Sequence, residues 1–165
     1  LYTGGPWPLG YLGLGDLFVL IFFGPVAVGG TFYVQTLEIT PVVIFAGLGP
    51  GLLATALLAV NNLRDEPTDK KVGKLTLAVR FGTTFARAEY LAALVFSAVI
   101  PFILAFWTET HWYACISALI IIPGFSSIRQ IISGVKGSEL NITLASTGKL
   151  ILIYGILFSL GWWIG

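Results

Sequence analysis

The sequence predicts an all-α membrane protein, a polytopic bundle of transmembrane helices, and three observations support this fold class. Hydrophobic residues make up 56% of the chain and charged residues only 10%, with a mean hydropathy of +0.91. Five apolar segments approach the roughly 20 residues that a helix needs to cross a bilayer. All nine lysines and arginines fall on one side if these segments alternate in direction. This composition excludes an ordinary soluble domain, and the net charge of +1 gives no reason to expect nucleic acid as a partner.

The five predicted helices cover residues 16–36, 41–60, 89–107, 112–132 and 149–165. Four of them have a proline inside the apolar run, namely Pro25, Pro50, Pro101 and Pro123. Neighbouring helices can satisfy the backbone groups that a proline leaves free, so we expect kinks rather than breaks. The first two helices also contain glycines that would allow close helix contacts, namely Gly24, Gly29, Gly30, Gly47, Gly49 and Gly51.

Residues 1–15 are rich in glycine and proline and lack the basic start of a signal peptide, so we expect a connector there. The chain contains no methionine and starts at Leu1. We therefore expect it to be the C-terminal part of a longer or processed protein. The single cysteine, Cys115, lies in an apolar run, which predicts a packed thiol.

The basic residues predict the orientation of the helices. Six of them follow the second predicted helix and three flank the connection after the fourth: Arg64, Lys70, Lys71, Lys74, Arg80 and Arg87, then Arg129, Lys136 and Lys149. The connections on the opposite side have no lysine or arginine. Their only titratable side chains are those of Glu38, Glu109 and His111. The positive-inside rule then places the basic connections in the cytoplasm. An aromatic belt is predicted at the outer interface, formed by Trp107, Trp112, Tyr113, Trp162 and Trp163.

The predicted cytoplasmic loop, residues 61–88, concentrates the charge of the chain. Its part NNLRDEPTDKKVGKLTLAVRFG holds three acidic and five basic residues. Such a loop is often only solvated chain, but here polar residues follow the second apolar segment at once, at a depth where they are costly unless used. Asn61 and Asp65 are four residues apart and share a face of a helix. We expect Pro67 to bend or restart the chain, so that Asp69 turns towards the same point.

This combination of side chains predicts a cation and phosphate site at the cytoplasmic mouth of the bundle. Mg²⁺ typically takes one or two carboxylates together with water and substrate phosphates, which suits Asp65 and Asp69. The lysines and arginine that follow can neutralise a polyanion, so the loop as a whole indicates a diphosphate. The sequence has no EF-hand spacing, no Walker A motif and no dinucleotide fingerprint that would favour another ligand.

Two stretches of the chain resemble the UbiA superfamily of intramembrane prenyltransferases. Residues 61–69, followed by GKLTLAVRFG at 73–82, resemble the second aspartate-rich motif of that family. The doubled asparagine, Arg64-Asp65 and the TLAVR run at 76–80 are most similar to its menaquinone-pathway branch. LGLGD at 12–16 and FGPVAVGGTFYVQT at 23–36 support the same branch. The resemblance is specific because two separated motifs agree in order and spacing.

The resemblance implies nine transmembrane helices around a cavity that opens near the cytoplasmic face. Two aspartate-rich loops there would hold Mg²⁺ and a polyprenyl diphosphate. The five helices of this chain would be the last five, and the first aspartate motif would lie in preceding N-terminal helices. The implied location is the lipid bilayer of a bacterial inner membrane, with the aspartate loop in the cytoplasm.

The implied reaction transfers a polyprenyl group to 1,4-dihydroxy-2-naphthoate with loss of CO₂ and diphosphate, in menaquinone or phylloquinone synthesis. By the same resemblance, Asp65 and Asp69 are the expected catalytic residues, as Mg²⁺ ligands directly or through water. The candidate diphosphate contacts are polar or basic residues of the same loop: Asn61, Asn62, Arg64, Lys70, Lys74 and Arg80. Arg64 is also a candidate structural partner of an acid.

Three other interpretations stay open. Another prenyltransferase of the family would use homogentisate, 4-hydroxybenzoate, haem or chlorophyllide as acceptor, and only the FGPVAVGGTFYVQT stretch favours the naphthoate. Half of a transporter would also have kinked helices, but it predicts charges near the bilayer midplane, where the predicted segments have none. A structural subunit would lack Mg²⁺-dependent diphosphate binding.

Overall fold

The computed structural model describes residues 13–165, which form helices and short connections. The α-helices are α1 (Gly15–Ile21), α2 (Ala27–Thr36), α3 (Pro41–Lys71), α4 (Leu77–Phe81), α5 (Thr83–Thr108), α6 (Ile121–Ile132) and α7 (Leu140–Ile164). A π-helical turn, Phe22–Val26, joins α1 to α2, and 3₁₀ segments Trp112–Ile120 and Gly137–Glu139 precede α6 and α7. Residues 13–165 contain no strand, which confirms the all-α fold class.

Five helical stretches are long and apolar enough to cross a membrane: Gly15–Thr36, Pro41–Lys71, Thr83–Thr108, Trp112–Ile132 and Gly137–Ile164. They confirm the predicted polytopic bundle, and the protein is an integral, multi-pass membrane protein. Most of the predicted connector, residues 1–12, lies outside the described residues.

The structure differs from the predicted loop 61–88, because α3 continues to Lys71 and α5 begins at Thr83. The last helix likewise begins at Leu140 rather than at 149. Hydropathy marks where a helix leaves the apolar layer, whereas the backbone hydrogen bonds that define the helix continue through polar residues.

The membrane-length helices alternate in direction, because their ends meet in two groups. Arg64, near the end of α3, donates a hydrogen bond to Asn141 in the first turn of α7. His111, which follows α5, stacks on Trp162 near the end of α7. We call the end of the bundle with Arg64 and Asn141 the inner end, and the end with His111 and Trp162 the outer end.

The first span crosses α3 with its backbone in direct contact. A Cβ atom added at Gly51 would lie 2.6 Å from the carbonyl oxygen of Leu20, and one at Gly47 would lie 2.8 Å from Pro25. Gly24 leaves helical geometry (φ −109°, ψ −108°) and kinks the span beside Pro25. The predicted close contacts therefore exist at this crossing, whereas Gly30 faces open space.

Helices α3 and α5 form the centre of the bundle. Small residues such as Ala56, Ala59 and Ala93 are buried along them, and α7 adds the fully buried ring of Tyr154. Large apolar side chains such as Phe96 and Phe125 point outwards, as expected for a lipid-facing surface. This arrangement holds the polar end of α3 against the starts of α1, α5 and α7.

Candidate functional site

The last three turns of α3 carry most of the predicted site residues. Asp65 and Asp69 are one turn apart on a continuous helix, so the expectation that Pro67 bends or restarts the chain is wrong. The helix tolerates Pro67 because this end is polar and half-exposed, and a lost backbone bond can be satisfied there. Asn62 and Asp69 are seven residues apart, which puts both on one buried face of α3.

Arg64 and Asp65 form the more open half of the site. Arg64 donates from Nε and Nη2 to the two carboxylate oxygens of Asp65, both at 2.7 Å. The same guanidinium reaches Asn61 Oδ1 and Asn141 Oδ1, each at 2.9 Å. A planar fork suits such multiple contacts, so Arg64 fixes the Asp65 carboxylate and ties α3 to α7. The structural-partner alternative for Arg64 therefore matches the geometry.

Asp69 and Lys74 form the more buried half. Asp69 is 8% exposed, and its Oδ2 lies 2.9 Å from Lys74 Nζ. Gly73 makes this contact possible, because its positive φ of 73° turns the chain back directly after α3. The backbone N–H of Lys74 also donates to the Asp69 carbonyl at 2.9 Å. Lys74 therefore contacts Asp69 through both its side chain and its backbone.

Two of the predicted residues lie at the rim. Arg80 sits on the short helix α4, which Thr76 caps by accepting a hydrogen bond from Val79 N at 3.4 Å. Its Nε donates to the carbonyl oxygen of Leu75 at 3.2 Å, and the side chain is exposed. Lys70 is also exposed, and within residues 13–165 it makes no side-chain hydrogen bond or ion pair. The structure thus brings six of the eight candidates together and leaves these two on the surface.

Three polar residues of the site were not predicted. Asp16, at the start of α1, accepts a hydrogen bond from Asn62 Nδ2 at 3.3 Å, and Asn141 joins through Arg64. Glu89, on α5, lies near enough to Asp16 for their charges to interact. Asp16 belongs to the LGLGD stretch, so a signal for it was present in the sequence. Asn141 and Glu89 have no motif around them, and only the packing of the helices brings them near α3.

An apolar pocket of about 430 Å³ begins at the polar end of α3 and runs along the helix into the apolar layer. Asn61 lines it together with residues of the first span, α3 and α7: Val19, Phe23, Pro50, Ala54, Leu57, Leu58, Leu144 and Ile151. Asn61 therefore belongs both to the hydrogen-bond network of Arg64 and to the wall of the pocket. This arrangement can hold a ligand with a charged head at the helix end and an apolar tail in the pocket.

The donor set fits a hard divalent cation that takes only a few protein ligands. Within the part of the chain that the structure describes, no group of three or more His, Cys, Asp or Glu side chains could enclose a metal ion. Two carboxylates and the neighbouring amides match the way Mg²⁺ is held, with water and substrate oxygens completing the shell. Each carboxylate pairs with a cation already, but an ionised carboxylate has about four lone-pair positions and can accept more than one partner.

The fold and the site define a class of protein: an intramembrane helical bundle with a carboxylate, amide and cation cluster at the mouth of an apolar pocket. The model of the UbiA prenyltransferase family matches residues 1–141. The chain belongs to this family, as the resemblance of its motifs predicts.

Individual curated proteins are similar to the chain over nearly its whole length. The chain is 41% identical over 166 residues to the 1,4-dihydroxy-2-naphthoate octaprenyltransferase of Haemophilus influenzae, covering 99% of this chain and 53% of that protein. The protein of the same name from Mycobacterium tuberculosis is 40% identical over 157 residues, covering 94% of this chain and 52% of that protein. The human UbiA prenyltransferase domain-containing protein 1 is 36% identical to the chain over 167 residues. This match covers 98% of this chain and 46% of the human protein. The chain thus spans about half the length of the curated relatives that it matches.

Proposed function

We propose that the protein transfers a polyprenyl group from a polyprenyl diphosphate to 1,4-dihydroxy-2-naphthoate, with loss of CO₂ and diphosphate, as an Mg²⁺-dependent aromatic prenyltransferase. The observation that carries the proposal is the junction at Asn61, where the charged end of α3 meets the apolar pocket. A polyprenyl diphosphate has this same division into a charged head and an apolar tail. The names of the bacterial relatives support the naphthoate as acceptor.

Each part of the substrate has a matching surface. The diphosphate would lie at Asp65, Asp69 and Lys74, and the prenyl chain would extend along α3 towards Pro50. Four residues on this path, Pro50, Ala54, Leu57 and Asn61, recur at spacings of three and four and so form one stripe of the helix. Binding the chain there would hold the allylic carbon beside the polar site and limit the attack of water on it.

Asp65 and Asp69 would hold the Mg²⁺ ion. When bound, Mg²⁺ would supply positive charge to the diphosphate oxygens, which stabilises the leaving group. Lys74, and Arg80 at the rim, would stabilise the same developing charge. Arg64 would keep the Asp65 carboxylate in one orientation through its two 2.7 Å contacts. The electron-rich ring of the acceptor then forms the new carbon–carbon bond at the allylic carbon, and its carboxylate leaves as CO₂.

The finer location and the remaining parts of the machinery belong to the same proposal. The clustering of basic residues at the inner end supports a cytoplasmic site in a bacterial inner membrane. We infer that further helices with another aspartate motif complete the site, because the relatives are about twice as long as the matched region. These helices would close the exposed sides of the apolar pocket.

The test uses membranes that contain the protein at its natural full length. They receive dihydroxynaphthoate and a labelled polyprenyl diphosphate, with Mg²⁺ or with EDTA. We expect a prenylated naphthoquinol that forms only with Mg²⁺. Transfer only to homogentisate or 4-hydroxybenzoate would keep the reaction class and overturn the acceptor. Absence of transfer to every acceptor would overturn the proposal.

A further inference from the structure

Asp16 forms a buried polar contact with the site that the proposed reaction has not used so far. It stands at the start of α1, is 4% exposed, and accepts a hydrogen bond from Asn62 Nδ2 at 3.3 Å. Asn62 is also 4% exposed, so water competes little for either group. A carboxylate is costly to bury without partners, and its position next to the site therefore calls for a reason.

The chain entering α1 is seated on the connection that follows α3. Gly13 has φ of +73°, and a Cβ atom there would lie 2.8 Å from the carbonyl oxygen of Leu75 and 3.2 Å from Arg80 Nε. This contact joins the start of the first span to the segment that carries Lys74. The ammonium of Lys74 itself contacts Asp69. Asp16 is thus linked to the buried face of α3 through the Asn62 amide.

The chemistry of the two groups determines how Asn62 is oriented. Asn62 donates from Nδ2 to Asp16 Oδ1 at 3.3 Å, so the NH₂ group of the amide faces Asp16. The amide oxygen of Asn62 then points away from Asp16 and stays available as an acceptor or ligand. Asn62 also shares the buried face of α3 with Asp69, so its amide belongs to the face that carries the buried carboxylate.

We propose that Asp16 is a positioning residue that orients the Asn62 amide for the diphosphate and Mg²⁺ site. The inference rests on the proposed function, because the orientation matters only if that site binds a metal diphosphate. Removing a residue that orients a ligand-binding group typically lowers affinity or activity about 10–100-fold. A purely structural role would instead lower stability and leave the folded protein's binding unchanged.

The experiment measures binding of inorganic pyrophosphate as a function of Mg²⁺ concentration, together with kcat and KM for the prenyl diphosphate, in the full-length protein. Asp16→Leu has a similar size but no acceptor, and we expect it to weaken Mg²⁺-dependent pyrophosphate binding and to lower kcat/KM about 10–100-fold. Asp16→Asn keeps an acceptor oxygen and is expected to recover part of that loss. Unchanged pyrophosphate binding in folded Asp16→Leu would overturn the inference.

A double-mutant cycle tests whether Asp16 acts through Asn62. We expect Asn62→Ala to weaken binding as much as Asp16→Leu does, and Asp16→Leu to add less than about twofold in the Asn62→Ala background. Fully multiplicative losses would overturn the inference. If Asp16→Leu does not fold, Asn62→Ala tests the inference in its place. Unchanged pyrophosphate binding in folded Asn62→Ala would contradict the proposed role of the Asn62 amide.

Tyr90→Phe is the matched control. It removes another buried hydrogen bond, the 3.1 Å contact between Tyr90 and Thr147 that joins α5 to α7. We expect lower thermal stability with pyrophosphate binding within about twofold of the unsubstituted protein. If the unsubstituted protein transfers prenyl groups and Asp16→Leu shows unchanged pyrophosphate binding and kcat/KM, only this inference is overturned. An unsubstituted protein without transfer to any acceptor would overturn the proposed function itself.

Discussion

The inner and outer ends of the bundle are held together by different chemistry. At the inner end, Asp65 and Asp69 each contact a cation, and amides from α3 and α7 extend the network. At the outer end, the His111 ring stacks on Trp162 at 3.9 Å between ring centroids, and Trp112 meets Phe106 edge to face at 4.8 Å. Both ion pairs found within residues 13–165 lie at the inner end.

The described ion pairs lie at the inner end, whereas aromatic contacts join the elements at the outer end. Aromatic contacts join the helices adequately at the outer end, where no carboxylate is paired with a cation among the described residues. Placing carboxylates beside cations at the membrane boundary costs desolvation and gives little net stability. The proposed function gives the inner network a role in ligand binding, and the following predictions test that contrast from the largest expected effect to the smallest.

Replacing Asp65 or Asp69 with Asn should have the largest effect. Each amide keeps the shape of the side chain but loses the charge that would bind Mg²⁺, so we expect prenyl transfer to fall at least about 100-fold. Mg²⁺-dependent transfer in membranes with the full-length variants measures the effect. Yield in the membrane fraction checks insertion, which should be unchanged. Near-normal turnover of both variants would remove these aspartates from the proposed site.

Lys74→Ala should reduce kcat/KM for the prenyl diphosphate by about 10–100-fold. The reason is that Lys74 contacts Asp69 at 2.9 Å and is the cation paired with the buried carboxylate of the candidate site. Lys71→Ala is the matched control, since Lys71 is the last residue of α3 and is exposed. Its kinetics should stay within about twofold of the unsubstituted protein. Equal losses in the two variants would indicate a general effect of surface charge.

Gly51→Ala should lower the free energy of unfolding by about 1–3 kcal/mol, because the new Cβ would lie 2.6 Å from a backbone oxygen of the first span. The midpoint of thermal unfolding in detergent measures this loss. Gly30→Ala is the control, since Gly30 has no atom within 4 Å of the added Cβ. We expect it to be neutral or to raise stability by about 0.5–1 kcal/mol. Similar unfolding midpoints for both variants would contradict the close crossing of α1 and α3.

His111→Ala should have the smallest effect, confined to stability. It removes the stack on Trp162 and the 2.9 Å contact between Nδ1 and the Trp162 carbonyl oxygen, a loss of about 0.5–1.5 kcal/mol. Thermal unfolding measures the loss, and transfer activity per folded molecule should not change. A large fall in kcat with normal stability would show that the outer end takes part in the reaction.

Several features of the protein were predictable from residues that are close together in the chain. The five apolar runs predict the five membrane-length helices. The concentration of acidic and basic residues after residue 60 predicts a polar site there. The boundaries were less accurate because polarity does not end a helix: Asn61–Lys71 remains α-helical although these residues leave the apolar layer. The roles of Asp65 and Asp69 remain predictions until a metal diphosphate is tested.

Local sequence patterns were sufficient to predict the class of fold, the family and the segment of the candidate site, because hydropathy and short motifs depend only on neighbouring residues. The tertiary structure decided which side chains meet. Asp16 reaches Asn62 across 46 positions of the chain, and Arg64 reaches Asn141 across 77. It also decided that Lys74 points into the site while Lys70 stays on the surface. The physical reason is that these contacts depend on how close the helices approach and on the turn at Gly73, and neither leaves a periodic signal in the sequence.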